Sequence, residues 1–365
     1  MSGGALARAD RHAAIPGLED VASREAMADI VRVTRPSRRI IGLLAMFTVL
    51  VMVMIASLAL GARDIPIATV IDAVRGALPG DDYESLVIGR ERIPRTVLGV
   101  ITGAALGASG AIMQGVTRNP LADPGVLGIE SGAGLFVVIG IVFTATDAPI
   151  DFFWWSLAGS FVTAAVVWVI SRSARSMSTE VSLVLAGATV AGLIASVITL
   201  VTIRDAATSL RYRGWAIGVL TGQRDAIAQL WPFVAVGLIA ALALGGTLNA
   251  LSLGDDVAAA LGTNVTWARL RAVVVAVVLC AAATAALGPV AFVGLVAGHL
   301  ARMTVGGDYR WVLPYAAVSG ALVLLTADVL GRLAPGRGEV EVGVMTAVVG
   351  APFFIGLSRR RRAQL

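Results

Sequence analysis

The sequence predicts an all-α, polytopic membrane protein of about ten transmembrane helices. Three observations predict it. Of the 365 residues, 57% are hydrophobic and only 15% charged, too few charged side chains to cover a soluble exterior. The apolar residues recur in runs of about 20, the length that crosses a hydrocarbon core ~30 Å thick. Prolines and glycines interrupt the runs that are too long for one crossing.

Residues 1–39 read as a polar cytoplasmic tail with seven Arg; they lack the apolar core and small-residue cleavage site of a secretory signal. The transmembrane domain is expected over 40–358, followed by a basic cytoplasmic end at 359–365. The first span, 40–61, starts directly after Arg35, Arg38 and Arg39, which sets its start inside. Residues 62–91 form an external connection with a short amphipathic helix from Pro66 to Ala77. The apolar stretch 92–144 would reach roughly 80 Å as one helix, so Asn119-Pro120 and Pro124-Gly125 divide it into spans 92–115 and 124–144. Spans 152–171, 180–203 and 228–249 follow. The run 267–304 is divided at Gly288-Pro289 into 267–287 and 289–304, the second short for a crossing. Spans 309–332 and 340–358 complete ten and leave both termini inside.

Charge supports this topology and excludes several functions. All 29 basic residues are Arg, so a nucleotide-binding loop that needs Lys is impossible and the chain cannot hydrolyse ATP through one. Two His and one Cys cannot build a metal cluster or an intrachain disulfide. The net charge of +5 is accounted for by Arg collected in inside loops, not by nucleic acid. Six of the seven Trp lie near expected span ends, as interfacial belts do. The external side still receives many Arg, concentrated at 63–95 and 204–224, which topology alone does not explain.

Three groups of residues are candidates for function. Arg92 and Arg95, at i and i+3, share an expected helix face and could receive carboxylates from a partner, with lipid-phosphate snorkelling as the alternative. Between spans six and seven, Asp255, Asp256, Val257 and Ala258 through Leu261-Gly262 read as a two-turn helix with an Asp N-cap and a terminal Gly, too short to span and suited to docking. The breaks at Asn119, Pro120, Pro124, Gly288 and Pro289 interrupt the membrane helices. Glu130, His299, Arg302, Asp328 and Arg332 lie at membrane depth, where each is either functional or part of a packing pair. Gly103, Gly107 and Gly110 give a small-residue face for close helix packing.

Together these segments resemble the FecCD-type permeases of type II ABC importers, which take up ferric siderophores, haem and cobalamin. The resemblance covers about residues 40–358. It rests on Arg92-Ile93-Pro94-Arg95, Gly103 to Gln114, Asn119-Pro120-Leu121-Ala122-Asp123-Pro124-Gly125, Leu253 to Gly262, Gly288-Pro289-Val290-Ala291-Phe292-Val293-Gly294, Gly307-Asp308-Tyr309-Arg310, Ala327 to Arg332 and Gly350-Ala351-Pro352. Two places depart from the family pattern: Gly298 stands before His299 where Pro is usual, and Glu339-Val340-Glu341-Val342-Gly343 replaces a Glu-x-Pro-x-Gly run.

The resemblance implies the type II importer permease fold, a non-enzymatic subunit in a bacterial cell membrane, and a solute path formed with a second permease of the same or similar sequence. Two separate ATPase subunits would carry ATP and Mg, this chain binding no cofactor or metal. The segment Asp255 to Gly262 would be the coupling helix, and Arg92, Arg95 and Arg332 would meet acidic residues of an extracytoplasmic substrate-binding protein. Ferric siderophore is the expected cargo, with haem and cobalamin as alternatives. A rival reading, an ion-coupled secondary transporter, would need Glu130 and Asp328 as ion ligands, two acids without an evident partner in the sequence.

Overall fold

The computed structural model describes residues 36–61, 64–77, 82–144, 149–173, 179–220, 224–334 and 338–362. Most of the expected tail, Arg63, Arg175 and residues 363–365 lie outside these, as do the side chains of Arg359 to Arg362. The chain falls into units 1–41 and 42–365; the first is described only from Pro36, where α1 begins.

Helix α1 (Pro36–Ala59) opens four residues inside the expected tail, with Pro at its first position, where a missing N–H costs nothing. A short α2 (Ile67–Val74) and α3 (Tyr83–Val87) lead through a π turn, Ile88–Arg92, into α4 (Ile93–Val116). A 3-10 turn, Pro124–Leu127, precedes α5 (Ile129–Thr144). Then come α6 (Pro149–Ser173), α7 (Thr179–Arg204), the short α8 (Ala206–Ala216) and α9 (Arg224–Ala243). Two short helices, α10 (Gly245–Ser252) and α11 (Asp255–Ala260), lead to α12 (Val265–Leu287). Last are α13 (Val293–Val305), α14 (Tyr309–Leu333) and α15 (Val342–Arg362).

Among the described residues there is no strand; seven helices are long and apolar enough to cross a membrane, and shorter apolar helices lie within α5, α13 and α15. The chain is a multi-pass membrane protein. Three expected boundaries move, each for a local reason. Pro124 starts a 3-10 turn that Gly128 (φ +69°) ends, so the third span begins at Ile129. The eighth begins at Val293, because Gly288 (φ +86°) and Phe292 (φ +69°) turn the backbone away from helix between them. The sixth ends at Ala243, and α10 starts as a separate element.

Helix α4 is the post of the molecule, packed against α12, α13 and α14. Its glycines permit this: a methyl at Gly103 would lie 2.6 Å from the Gly320 carbonyl oxygen, and methyls at Gly107 and Gly110 would collide with backbone of Ala316 and Gly294. Without a hydrophobic force between helices in lipid, such close backbone approach supplies the dispersion that holds them. By contrast α1 and α7 keep large apolar side chains exposed, among them Leu44, Phe47, Leu193 and Ile203, as lipid-facing helices do.

Candidate functional site

The two ends of α4 carry different chemistry. At its start, Asp82 caps α3 by accepting from Glu84 N at 3.2 Å, and the π turn then sets Arg92 toward α1. Arg92 Nη1 donates to the carbonyls of Leu58 (2.6 Å) and Ala59 (2.8 Å), the last turn of α1, where carbonyls have no helical partner. Arg332 Nη1 donates to Ser57 O (2.8 Å) and Leu60 O (3.0 Å), and its Nη2 to Ser57 Oγ (2.8 Å). Arg95 grips Asp328 through Nε (3.0 Å) and Nη2 (2.8 Å), and reaches Glu339 Oε2 through Nη1 (2.6 Å). Arg332 Nη2 closes on Asp328 Oδ2 at 3.1 Å.

The three arginines expected on the binding-protein side lie together at this end. Arg92, Arg95 and Arg332 are only 7, 8 and 7% exposed, and their guanidiniums are committed within the chain. Arg92 and Arg95 do not present one outward face: they bond to different elements. Exposed charges at this end include Asp64, Arg90, Glu91 and Glu339, and a cavity of about 140 Å³ there is lined by Glu84, Glu91, Arg92, Arg95, Arg332 and Glu339. Asp328, read from sequence as lacking a partner, has two.

At the other end of α4, the chain leaves through Arg118 in the left-handed region (φ +49°), rare for a residue with a side chain. Asn119 Oδ1 accepts from Leu121 N at 3.0 Å, Pro120 blocks helix continuation, and Asp123 Oδ1 accepts from Gly125 N at 2.9 Å, capping the 3-10 turn. This break and the one at Gly288-Pro289 meet: Asp123 accepts from the backbone of Leu295, and Glu130 from that of Val290. Gln114 Nε2 donates to Leu295 O at 3.2 Å. Gly288 is itself locked, since a Cβ there would collide with the Trp215 carbonyl. Asn119 also lines an open groove with Val181, Leu185 and Ala188 of α7.

Near the Arg118 turn lies α11. Its N-cap is Gly254 (φ +110°), which corrects the expected Asp cap: Asp255 sits in the first turn, favoured there by the helix dipole, and turns its carboxylate sideways. Gly262 (φ +80°) ends the segment as expected, with Thr263 N donating to Ala258 O at 2.9 Å. Ala258 is fully buried, whereas Leu253, Val257 and Leu261 are 60, 46 and 65% exposed. Val257 and Leu261, four residues apart, share one side of the segment, and Leu253 stands exposed just before the Gly254 cap. Asp256 is exposed as well.

Residues that sequence reasoning did not single out complete this end. Arg118 Nε donates to Leu251 O at 2.8 Å and its Nη2 pairs with Asp255. Arg269 Nη2 reaches the same carboxylate at 3.2 Å. Asn249 joins α10 to α14, donating to Asp308 Oδ1 (2.7 Å) and accepting from Tyr309 N (2.7 Å). The available signal was Arg118 directly before Asn-Pro, a charged residue where a helix must stop. Among the described residues no group of three or more His, Cys, Asp or Glu is placed to hold a metal ion.

Comparison with known proteins adds the following. The model of the FecCD transport family matches residues 49–360. The chain is 37% identical to the iron(3+)-hydroxamate import system permease protein FhuB of Bacillus subtilis (strain 168), over 94% of this chain and 89% of that protein. It is 35% identical to the ferric enterobactin transport system permease protein FepD of Escherichia coli (strain K12), over 92% of this chain and 98% of that one. A solved structure described as an inward-facing conformation of a metal-chelate type ABC transporter superposes with a TM-score of 0.74 at 26% identity, covering 87% of this chain and 98% of the other.

Proposed function

The chain belongs to the FecCD transport family, as a permease subunit of an ABC importer, and from that premise we propose that it moves ferric siderophores inward through a path shared with a second, same or similar permease. In this reading two ATPase subunits, which hold ATP and its magnesium, bind at the end bearing α11, and an extracytoplasmic binding protein delivers the chelate at the end bearing Arg92, Arg95 and Arg332. The membrane is the bacterial cell membrane, with both termini on the ATPase side. The iron chelates named for the two relatives support the cargo.

One observation carries the reading: α11 is too short to span, exposes Leu253, Val257 and Leu261, and is fastened from behind through Asp255. An apolar face kept out of the fold is what a partner groove requires. Work then comes from ATP on the partner, which must stabilise two states of the permease unequally, because equal affinity for both would drive nothing. The path itself is proposed to run along α7 and the helix breaks, where Asn119 borders an open groove and the paired breaks at Pro120, Pro124, Gly288 and Pro289 shape the turns. Asp328 speaks against an ion-coupled carrier, since its carboxylate is taken up by Arg95 and Arg332.

The test is Leu261→Arg. Burying a charge in the docking groove weakens ATPase binding by roughly 30-fold, a loss of about 2 kcal/mol. Co-purification of the ATPase subunits and uptake of radiolabelled ferric hydroxamate, ferric catecholate, haem and cobalamin are measured together. Loss of both co-purification and iron-chelate uptake is expected; intact ATPase binding refutes the docking face, and uptake of haem or cobalamin alone refutes the cargo.

A further inference from the structure

Asp255 lies on the side of α11 away from Leu261, and its carboxylate is the point at which three elements converge. Arg118, from the turn between α4 and α5, pairs with Asp255 Oδ1. Arg269 of α12 reaches Oδ1 at 3.2 Å and Oδ2 at 3.4 Å. Arg118 also donates to Leu251 O at 2.8 Å, in the last turn of α10. Between α10 and α11 stands Gly254 at φ +110°, where a would-be Cβ meets nothing within 4 Å; lacking a Cβ, this residue is the one in the segment best able to change its backbone angles.

Exposure ranks the two arginine contacts. The Arg269 side chain is 7% exposed and fixed in α12, whereas those of Arg118 and Asp255 are 34 and 45% exposed. Arg269 thus ties the carboxylate to α12, and Arg118 ties it to the turn. Arg118 has a left-handed backbone, strained for a residue with a side chain, and its guanidinium grips both the Leu251 carbonyl and Asp255. The turn it heads continues to Asp123 and Glu130, which accept from the backbone at Leu295 and Val290 on the opposite break.

We propose that Asp255 is a positioning residue that transmits movement of α11 to the Arg118–Gly128 turn, and through it to the paired helix breaks. The inference rests on the docking reading of α11 and extends it from where the ATPase binds to how its motion enters the permease. When the partner pulls α11, the Gly254 hinge allows the helix to tilt, and the Asp255–Arg118 pair carries the tilt to the turn. Without the pair the helix still docks through its apolar face but tilts alone. The element with two arrangements is the turn, and both the ATPase and the cargo bias it.

The test uses the full assembly of permease, ATPase subunits and binding protein in proteoliposomes, with ferric hydroxamate or ferric catecholate chelate, whichever the wild-type assembly takes up. In Asp255→Asn the ATPase subunits remain bound while chelate imported per ATP hydrolysed falls about tenfold, within the range usual for coupling between two sites. Asp255→Glu, which keeps the charge, recovers most of the ratio. Arg118→Gln gives the same loss, and the double variant is no worse than either single one, the signature of one shared link; this variant carries the test alone should Asp255→Asn fail to assemble. An unchanged ratio in both single variants overturns the proposal. So does loss of ATPase binding in Asp255→Asn to the extent seen in Leu261→Arg, because Asp255 would then belong to the docking face. Retention of ATPase subunits by Leu261→Arg instead refutes the docking reading itself, a distinguishable failure.

Discussion

Replacing Asp328 by Asn removes the one negative charge that lies between two buried guanidiniums. Asp328 is 1% exposed and accepts from Arg95 Nε at 3.0 Å and Nη2 at 2.8 Å, with Arg332 Nη2 at 3.1 Å. Breaking a buried pair by deleting one partner costs about 3–5 kcal/mol, because the remaining charge stays desolvated. Here two cations are left, but the amide oxygen can still accept one bond and Glu339 still holds Arg95. The lower end, about 3 kcal/mol, is therefore expected, a shift of roughly 150-fold in the unfolding equilibrium. Glu339 is 36% exposed, so Glu339→Gln should cost no more than about 1 kcal/mol. The double variant Asp328→Asn/Arg332→Met removes one surplus charge and recovers part of the loss. The assay is reversible unfolding of the purified subunit in mixed micelles by SDS titration, followed by tryptophan fluorescence. If Asp328→Asn unfolds within about 1 kcal/mol of the parent, or if Glu339→Gln costs as much as it does, the carboxylate does not hold this end together and the argument from burial fails.

Other outcomes follow from the same geometry. Gly107→Ala drives a methyl into the Ala316 carbonyl and to within 3.0 Å of Gly320 Cα, so α14 must shift at a cost of about 1–3 kcal/mol in the same titration. Gly192 on α7 has nothing within 4 Å of a would-be Cβ; Gly192→Ala should leave stability unchanged or raise it by up to about 1 kcal/mol. Asn249→Ala breaks both bonds joining α10 to Asp308 and Tyr309 and should cost about 1–2 kcal/mol. Asp205 caps α8 by accepting from Thr208 Oγ1, Thr208 N and Ala207 N, which holds its carboxyl below the usual 3.8. A depressed folded value means the cap stabilises above the unfolded pKa and is lost as pH falls through the folded one. Asp205→Ala should therefore speed hydrogen exchange at the Ala207 and Thr208 amides at pH 7, with the difference from the parent vanishing in acid below the depressed value; a difference that persists there counts against the cap.

The helical order was legible because length and apolarity alone decide what crosses lipid. Runs near 20 residues, two Pro-Gly breaks and an isolated polar segment at 204–227 leave little freedom. The short α11 was legible for the same kind of reason, since Gly254 and Gly262 bracket a segment of good helix formers. Its cap was not. An Asp before a helix reads as an N-cap, but Asp255 has arginines on either side to satisfy, and a glycine at φ +110° can start the helix without a side-chain bond. The boundaries at 124 and 289 moved because proline marks where a helix cannot continue, not where the next one resumes; that depends on Asp123 and on the left-handed Phe292, which tertiary contacts decide.

The arginines show most clearly what a linear reading lacks. Charge is visible in sequence, depth is not, and neither are the partners that Arg92, Arg95 and Arg332 hold within the chain. Apart from Asp328, four residues before Arg332, those partners lie 33 to 275 residues away and include backbone carbonyls, which no pattern of side chains reveals. The same chemistry recurs at the other end of α4, where Arg118 serves the Leu251 carbonyl and Asp255 together. In each case one planar guanidinium answers a helix terminus or a carboxylate through several fixed donors at once. An ammonium is a compact, strongly hydrated charge that lacks that fork, and is less suited to bridging a carbonyl and a carboxylate on different helices. This offers a physical reason for Arg at the buried positions 92, 95, 269 and 332, where the cation joins separate elements, a task that rewards geometry as well as charge.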